Sequence, residues 1–344
     1  MTVFDRLQGG YEQVVYGHDA PSGLRAIIAI YSTALGPALG GTRILPYPSE
    51  DDALADALRL GRAMAFKAAC AGLALGGGKA VIIGDPAEVK TRELLHAFGR
   101  LVDRLGGAYI TSADVGSTVQ DLDVIAEVTP YVSGSSKGSG DPSPMTGYGV
   151  FRGMAAVCER VFGEPSVAGR HVVVSGVGKV GSHLARLLAE AGAQLTLSDV
   201  REDVVTALAA EIGAEIVAPE QAAGTPCDVF APCALGGVVN DRTLGSFKCR
   251  AIAGGANNQL ETPALGHALH DAGILYAPDF VINAGGLINV EDELHGYDPA
   301  RARAKAERIA DTLREIFAMA AAEGMTPSEA ADRIAESRIA AAGA

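Results

Sequence analysis

Lys79 follows three consecutive glycines, Gly76, Gly77 and Gly78, and Lys67 stands twelve positions earlier in the otherwise apolar segment Met64-Ala65-Phe66-Lys67. Two ammonium groups in greasy, glycine-lined surroundings point to chemistry. Desolvation disfavours the charged form of a lysine and draws its pKa toward neutrality, where it serves as a base, while a neighbour that stays charged holds an anionic substrate. The glycines are expected to let backbone and ligand approach closely. Farther along, the chain reads Gly176-Val177-Gly178-Lys179-Val180-Gly181. Such a motif alone is weak evidence in a chain with 43 glycines. Its context is stronger: Val172-Val173-Val174 before it is a buried-strand run, and Val180, Leu184, Leu187 and Leu188 after it share one helical face, closed by Gly192. It reads as a dinucleotide site, in which the glycines permit the tight turn and the backbone's approach to a pyrophosphate seated on the helix N-terminus. A second strand over 194–198 ends in Asp199, 23 positions after Gly176, where an acid bonds the ribose 2′-hydroxyl. Asp199 repels a 2′-phosphate and favours NAD as the cofactor, although Arg201 is placed to attract one.

These residues need strands and helices to hold them. Short β-rich runs at 26–31, 80–83 and 108–111 are separated by two amphipathic stretches with helix-start signals. Ser49 precedes Glu50-Asp51-Asp52 with Leu54, Leu58 and Met64 following, and Thr91 precedes Leu94, Leu95, Phe98 and Leu101. This part is an α/β unit, and Asp114 comes just after its 108–111 strand, which suits a ligand cleft at the carboxyl ends of strands. The run Ser133-Gly134-Ser135-Ser136-Lys137-Gly138-Ser139-Gly140-Asp141-Pro142-Ser143-Pro144 is the strongest composition break and reads as a linker. From 170 to roughly 281, strand-like and helix-like runs alternate in the pattern of a parallel, doubly wound sheet. Past Gly285-Gly286 an alanine-rich helix is expected over about 299–322, and Thr326-Pro327-Ser328-Glu329 has the capping-box arrangement for a last helix.

At 344 residues the chain exceeds what one hydrophobic core supports, so two domains are expected. A formal net charge of −13 leaves no basic excess to neutralise phosphates, which argues against nucleic acid or an acidic membrane surface as partner. The five cysteines (Cys70, Cys158, Cys227, Cys233, Cys249) are scattered without a C-x-x-C pair, so neither a disulfide framework nor a zinc site is indicated and a reducing compartment is expected. No apolar run approaches the roughly 18 residues of a membrane span and no leader pattern is visible, making the cytoplasm the expected location. His267 and His270 lie at i and i+3; they read as a solvated helix face, and no metal is expected.

Gly36-Pro37-Ala38-Leu39-Gly40-Gly41-Thr42-Arg43, Met64-Ala65-Phe66-Lys67, Gly76-Gly77-Gly78-Lys79, Ala113-Asp114-Val115-Gly116, the dinucleotide motif, Ala231-Pro232-Cys233-Ala234, Ala256-Asn257-Asn258-Gln259 and Asn283-Ala284-Gly285-Gly286 stand in one order along the chain. In these stretches the sequence resembles the glutamate, leucine, valine and phenylalanine dehydrogenase superfamily, and within it the leucine and valine enzymes. The likeness runs from about residue 36 to 295, and the first thirty residues match only loosely. It implies an N-terminal α/β substrate-binding and oligomerisation domain at 1–138, joined by a C-terminal helix at 325–344, and a Rossmann-type NAD-binding domain at 139–324, with a cleft between them. It further implies NAD-dependent, reversible oxidative deamination of a branched-chain L-amino acid (leucine, valine or isoleucine) to its 2-oxo acid and ammonia by a homo-oligomer.

Roles carry over by motif position. Lys67 holds the substrate carboxylate, Lys79 activates the water that attacks the imine, and Asp114 shuttles protons to and from the amino group. Gly40 and Gly41 bring backbone close to the substrate, and Asn257 or Asn258 orients the amino group or the nicotinamide. Leu39, Met64, Leu287 and Val290 line the side-chain pocket; glutamate-specific relatives carry a lysine near residue 39 where this chain has leucine. Around the cofactor stand Thr146, Gly176, Val177, Gly178, Lys179, Val180, Gly181, Asp199, Cys233, Ala234, Ala256 and Asn257, with Cys233 as wall because no partnering base is visible in sequence. One departure is Gly147-Tyr148-Gly149, whose first glycine is expected to loosen a hinge. Chain crossings near 134–144 and at 285–286 suit hinge closure that expels water. Phenylalanine is an alternative substrate. A regulator that kept the fold and lost catalysis would lack the lysines or the acid, and a hydroxy-acid oxidoreductase would want a histidine paired with a carboxylate.

Overall fold

The computed structural model describes residues 3–7 and 9–343. The chain forms two compact units, the first comprising Met1–Asp141, Val290–Asp298 and Ala335–Ala344, the second Pro142–Asn289 and Pro299–Ile334.

The first unit is built on a five-stranded sheet, β1 (Gln13–Asp19), β2 (Leu24–Ser32), β3 (Ala38–Leu45), β4 (Gly76–Ile83) and β5 (Tyr109–Ala113), in the order β1-β2-β4-β3-β5. β2 pairs antiparallel with β1 and β4, whereas β3 runs parallel to β4 and β5. Both sheet faces are covered. Leu24, Ala26, Ile28 and Ile30 enter one core with Leu94, Phe98 and Val102 of the helix Arg92–Asp103, while Ile27 and Ala29 join Ala53, Leu54 and Ala57 of the helix Glu50–Cys70. Alternate residues of one strand thus feed two apolar layers, which is why β2 reads as a continuous apolar run. Ser49 and Thr91 cap the two helices, accepting from Asp52 N at 3.1 Å and Leu94 N at 3.2 Å.

The glycines before Lys79 serve packing of protein on protein. A Cβ on Gly77 would stand 1.9 Å from the backbone nitrogen of Ala65, so the bare backbone of β4 is what lets the Glu50–Cys70 helix seat against the sheet. The space expected for a ligand beside that glycine is occupied by the helix. Gly77→Ala is predicted to cost about 3 kcal/mol or more, at the upper end for overpacking against rigid backbone. Gly213→Ala, where φ is +72° and nothing lies within 4 Å, should cost only about 1–2 kcal/mol. Equal losses in denaturant titrations would refute that contrast.

The second unit carries six parallel strands, β6 (His171–Ser175), β7 (Gln194–Ser198), β8 (Glu215–Ile216), β9 (Val229–Pro232), β10 (Ala251–Ile252) and β11 (Leu275–Tyr276). Their order, β11-β10-β9-β6-β7-β8, is that of a doubly wound dinucleotide-binding sheet, with the switch point between β6 and β9. The two-domain α/β class expected from sequence is therefore what the chain adopts.

Three expectations need correction. The serine- and glycine-rich segment is folded onto the first unit, because Glu293 gathers it: its carboxylate accepts from Ser133 Oγ at 2.8 Å, Gly134 N at 2.8 Å, Ser139 N at 2.7 Å and Ser139 Oγ. The units accordingly divide at 141/142 rather than 138/139, and 290–298 return to the first unit. The second division in the C-terminal region falls at 334/335 rather than 324/325. Beyond it Arg338 Nη1 donates to Ala69 O at 3.0 Å and Cys70 O at 2.9 Å, closing the C-terminus of the Glu50–Cys70 helix. The capping box of the last helix, Pro327–Ala342, forms as expected, with Thr326 N donating to Glu329 Oε2 at 2.8 Å; residue 344 lies outside the described residues.

Second, the helix expected over about 299–322 is two, Pro299–Glu307 and Ile309–Glu323, broken at Arg308. Third, the glycines assigned to hinges sit in helix contacts. A Cβ on Gly147 would come within 3.0 Å of His183 Cβ, and one on Gly285 within 2.1 Å of Met145 O, so both let helices of the second unit pack closely. Gly285 and Gly286 open the helix Gly285–Glu293 and are no loop.

Candidate active site

β3, β4 and β5 deliver the charged groups of the first unit. Leu39 on β3 pairs with Gly77 on β4, and Arg43 pairs with Val81, so Lys79 comes level with the β3 glycines between them. Thr42 pairs with Ala113, the last residue of β5, and Asp114 follows at once. Lys79 Nζ stands 2.6 Å from Asp114 Oδ2, their side chains 7% and 21% exposed, and Arg43 Nε donates to the same oxygen at 2.9 Å. Arg43 Nη1 also reaches Asp56 Oδ2 at 2.9 Å, and Asp56 accepts from Tyr47 Oη at 2.7 Å and Arg59 Nη2 at 2.7 Å.

Among these groups two guanidinium charges meet two carboxylates, which leaves Lys79 as the odd charge. Its pKa is displaced accordingly. Burial pulls it below the ordinary lysine value, more strongly than the nearby Asp114 carboxylate supports the ammonium. Asp114 goes the other way from what burial alone would cause: burial favours its protonated form, but Lys79 and Arg43 outweigh that and hold it below the usual carboxylate range. Asp56 is likewise kept ionised against its burial by Tyr47, Arg59 and Arg43. The backbone around Asp114 is fixed by Ser117 Oγ, which accepts from Asp114 N at 2.9 Å and donates to Thr42 O at 2.7 Å. A Cβ on Gly41 would stand 2.8 Å from Asp114 Cβ, and one on Gly40 1.8 Å from Gly78 O. These two glycines make room for the acid and for β4, which accounts for them without a substrate.

Lys67 lies half-buried in the last turn of the Glu50–Cys70 helix, one turn beyond Met64 and next to the Ala65–Phe66 stretch that packs on β4. Leu39 and Val290, 2% and 8% exposed, belong to the first unit with Lys67, Met64, Lys79 and Asp114, whereas Leu287 and Asn258 belong to the second.

In the second unit the glycine motif closes the β6 strand, and its residues meet others from neighbouring strand ends. Gly176 has φ +99°, and a Cβ there would meet Ala234 at 2.6 Å. Gly181 takes the first turn of the helix Lys179–Glu190 to within 1.9 Å, at Cβ, of Gly176 O. Over Gly178, by contrast, the nearest group is Arg201 at 3.8 Å, so its backbone is open to a ligand. Asp199 Oδ2 accepts from Val177 N at 2.8 Å, and Oδ1 from Arg201 N at 3.0 Å and Arg201 Nε at 3.2 Å. Burial alone would raise the Asp199 pKa, but these bonds lower it and keep the carboxylate charged. An open glycine at the N-terminus of a 12-residue helix and a charged acid on the next strand fit a dinucleotide.

Of the other expected cofactor residues, Cys233 and Ala256 follow β9 and β10 closely, and Thr146 lies in the helix Ser143–Phe162. Cys233 accepts from Gly255 N at 3.4 Å, and burial pushes its thiol up to about 11, which suits wall rather than nucleophile. Val180 meets the position of a Gly255 Cβ at 2.6 Å, Ala256 is 4% exposed, and Thr146 Oγ1 donates to Pro142 O at 3.1 Å. Asn257 Oδ1 accepts from Asn283 Nδ2 at 2.8 Å, and Asn258 takes φ +52° with its N–H on Asp279. Lys179 opens the Lys179–Glu190 helix beside Gly178. Arg43, Asp56, Tyr47 and Asn283 were not singled out from sequence as site residues, although Arg43 and Asn283 stood inside quoted motifs.

The profile described as Glu/Leu/Phe/Val dehydrogenase, dimerisation domain, matches residues 12–131, and that of Glutamate/Leucine/Phenylalanine/Valine dehydrogenase matches 138–208 and 194–343. The chain belongs to this family. A leucine dehydrogenase from Geobacillus stearothermophilus is 53% identical to this dehydrogenase over 332 residues, 96% of this chain and 90% of that one. A valine dehydrogenase from Streptomyces albus is 50% identical over 345 residues, 98% and 95% of the two chains. Among solved structures, an L-tryptophan dehydrogenase from Nostoc punctiforme superposes with a TM-score of 0.92 at 44% identity, covering 100% of both chains. These relatives support amino-acid dehydrogenase activity. No helix among the described residues is long and apolar enough to cross a membrane.

Proposed function

We propose that this protein is an NAD-dependent dehydrogenase that oxidatively deaminates branched-chain L-amino acids, leucine, valine and isoleucine, to their 2-oxo acids and ammonia, and runs in reverse as a reductive aminase. The observation that carries this reading is the Lys79–Asp114 pair, 2.6 Å apart, its lysine buried and drawn toward the neutral amine. Bound nicotinamide supplies the hydride acceptor. The imine left by that oxidation needs water added at carbon and a proton removed from that water, and a neutral Lys79 amine is a base suited to it. Asp114, kept ionised by Arg43, passes protons between the substrate nitrogen and Lys79, so the two act as one unit. Lys67 holds the substrate carboxylate through a charge-assisted hydrogen bond. In net terms the amino acid, NAD⁺ and water become the 2-oxo acid, ammonium, NADH and one proton.

The second unit supports NAD through the open Gly178 and the charged Asp199. An acidic group there and the leucine and valine dehydrogenase relatives favour this cofactor and apolar substrates. The tryptophan dehydrogenase likeness favours a second reading, an aromatic amino acid as substrate. The matched dimerisation domain supports a homo-oligomer, and the reading places the enzyme in the cytoplasm.

Assaying NADH formation together with ammonia release across L-amino acids and 2-hydroxy acids tests the reading. Hydroxy-acid oxidation without ammonia would overturn it, and tryptophan or phenylalanine coming out ahead of leucine would establish the second reading. Lys67→Ala should raise KM for the amino acid about 10- to 100-fold, the worth of a charge-assisted hydrogen bond, with a smaller change in kcat. Unchanged KM would remove Lys67 from that role.

A further inference from the structure

Asp199 and Arg201 are not independent groups. Both lone pairs of Asp199 Oδ1 are taken by Arg201, through its backbone N at 3.0 Å and its side-chain Nε at 3.2 Å, and Oδ2 is shared with Val177 N at 2.8 Å. The Arg201 side chain is 54% exposed, against 8% for Asp199, so the carboxylate is the fixed member and the guanidinium the movable one. That guanidinium lies 3.8 Å from the Cβ position of Gly178, over the open backbone of the glycine motif. It also borders a cavity of about 480 Å³ that includes Gly178, Lys179 and Ser182. The other arginine there, Arg186, is engaged by both carboxylate oxygens of Glu211 at 2.6 and 2.8 Å. Asp203 is the remaining acid of the lining.

Resting on the NAD reading above, we propose that Arg201 is a 2′-phosphate-binding group held in reserve by Asp199, so that the choice between NAD and its 2′-phosphorylated form is set by this pair and not by the carboxylate alone. A ribose 2′-hydroxyl needs only the acceptor left on Asp199 Oδ2. A 2′-phosphate at the same place meets the carboxylate charge, and the one guanidinium near enough to offset it is already bonded to that carboxylate. Removing the charge both lifts the repulsion and releases a planar fork of donors that matches phosphate bidentately.

The test is calorimetric binding of 5′-AMP and of adenosine 2′,5′-bisphosphate, which reads the adenosine end without turnover. Wild type should prefer 5′-AMP. In Asp199→Asn, whose amide oxygen still accepts from Val177 N–H, the affinity ratio should move at least tenfold toward the bisphosphate, and Asp199→Ser should move it the same way. Adding Arg201→Ala to either variant should remove most of the gain, leaving only what relief of the repulsion supplies. No gain in either Asp199 variant, or a gain that survives loss of Arg201 in full, overturns the proposal. Wild type binding neither 5′-AMP nor NAD would instead overturn the cofactor reading beneath it.

Discussion

Lys79→Ala should lower kcat by about two to four decades, the range for loss of a positioned acid–base group, while the protein stays folded and still binds NAD. The size follows from how little else in the first unit can take over. Arg43 is held charged beside Asp114 and Asp56, and those two acids are held ionised below the usual carboxylate range, so Lys79 is the basic group in this cluster whose neutral form lies within reach. Lys79→Met, which fills the same space without the amine, separates chemistry from packing and should be as inactive. The pH profile gives an independent reading. Only the neutral amine acts as base, so kcat for deamination should rise with pH, and burial places that rise below the ordinary lysine range. Asp114 supports the ammonium, so Asp114→Asn should move the rise to lower pH as well as reduce its height. A Lys79→Ala enzyme with near-normal turnover, or a rise that moves up in Asp114→Asn, would dismantle the pair as a catalytic unit.

The sequence exposed those parts of the fold whose pattern is local. β2 and β4 were readable because burial on both faces makes a strand a continuous apolar run, and Ser49, Thr91 and Thr326 announce helix starts through side-chain chemistry that acts within three residues. β3 was hidden because its middle is Gly40-Gly41-Thr42: glycines are depleted in strands, and only the neighbouring Gly78 carbonyl and Asp114 explain them. The break at Arg308 was hidden for the opposite reason, since the buried positions Ala302, Ala306, Ile309, Leu313, Ile316 and Phe317 keep helical spacing straight across it.

At the site, the lysines were conspicuous because cations are out of place in apolar surroundings. Asp56 was not, since an acid on an amphipathic helix looks like solvated surface, and its bonds to Arg43 and Tyr47 arise only when the helix is laid on the sheet. Glu293 is the same case at longer range: a run of serines and glycines looks like a linker until a carboxylate some 155 residues away supplies its acceptors, as with Ser139 at a separation of 154.

Among amino acids, leucine, valine and isoleucine should give the highest kcat/KM, and glutamate should fall at least about a thousandfold below leucine. By the family resemblance, Leu39 takes the place where glutamate-specific relatives carry a lysine; it is nearly fully buried in β3. A substrate side-chain carboxylate brought against Leu39, Met64 and Val290 loses its water with no cation to replace it, and several kcal/mol of uncompensated desolvation corresponds to three decades or more. The apolar side works in the other direction. Each buried methylene contributes about 0.8 kcal/mol, so the three extra carbons of leucine over alanine are worth about sixtyfold in kcat/KM. Phenylalanine is the more demanding comparison, because Met64 is a flexible side chain that can move aside for a ring. Measuring kcat/KM for leucine, valine, alanine, phenylalanine and glutamate under one set of conditions decides the matter. Glutamate at the top would remove Leu39 from the pocket, and alanine equal to leucine would mean that the substrate side chain is not buried at all.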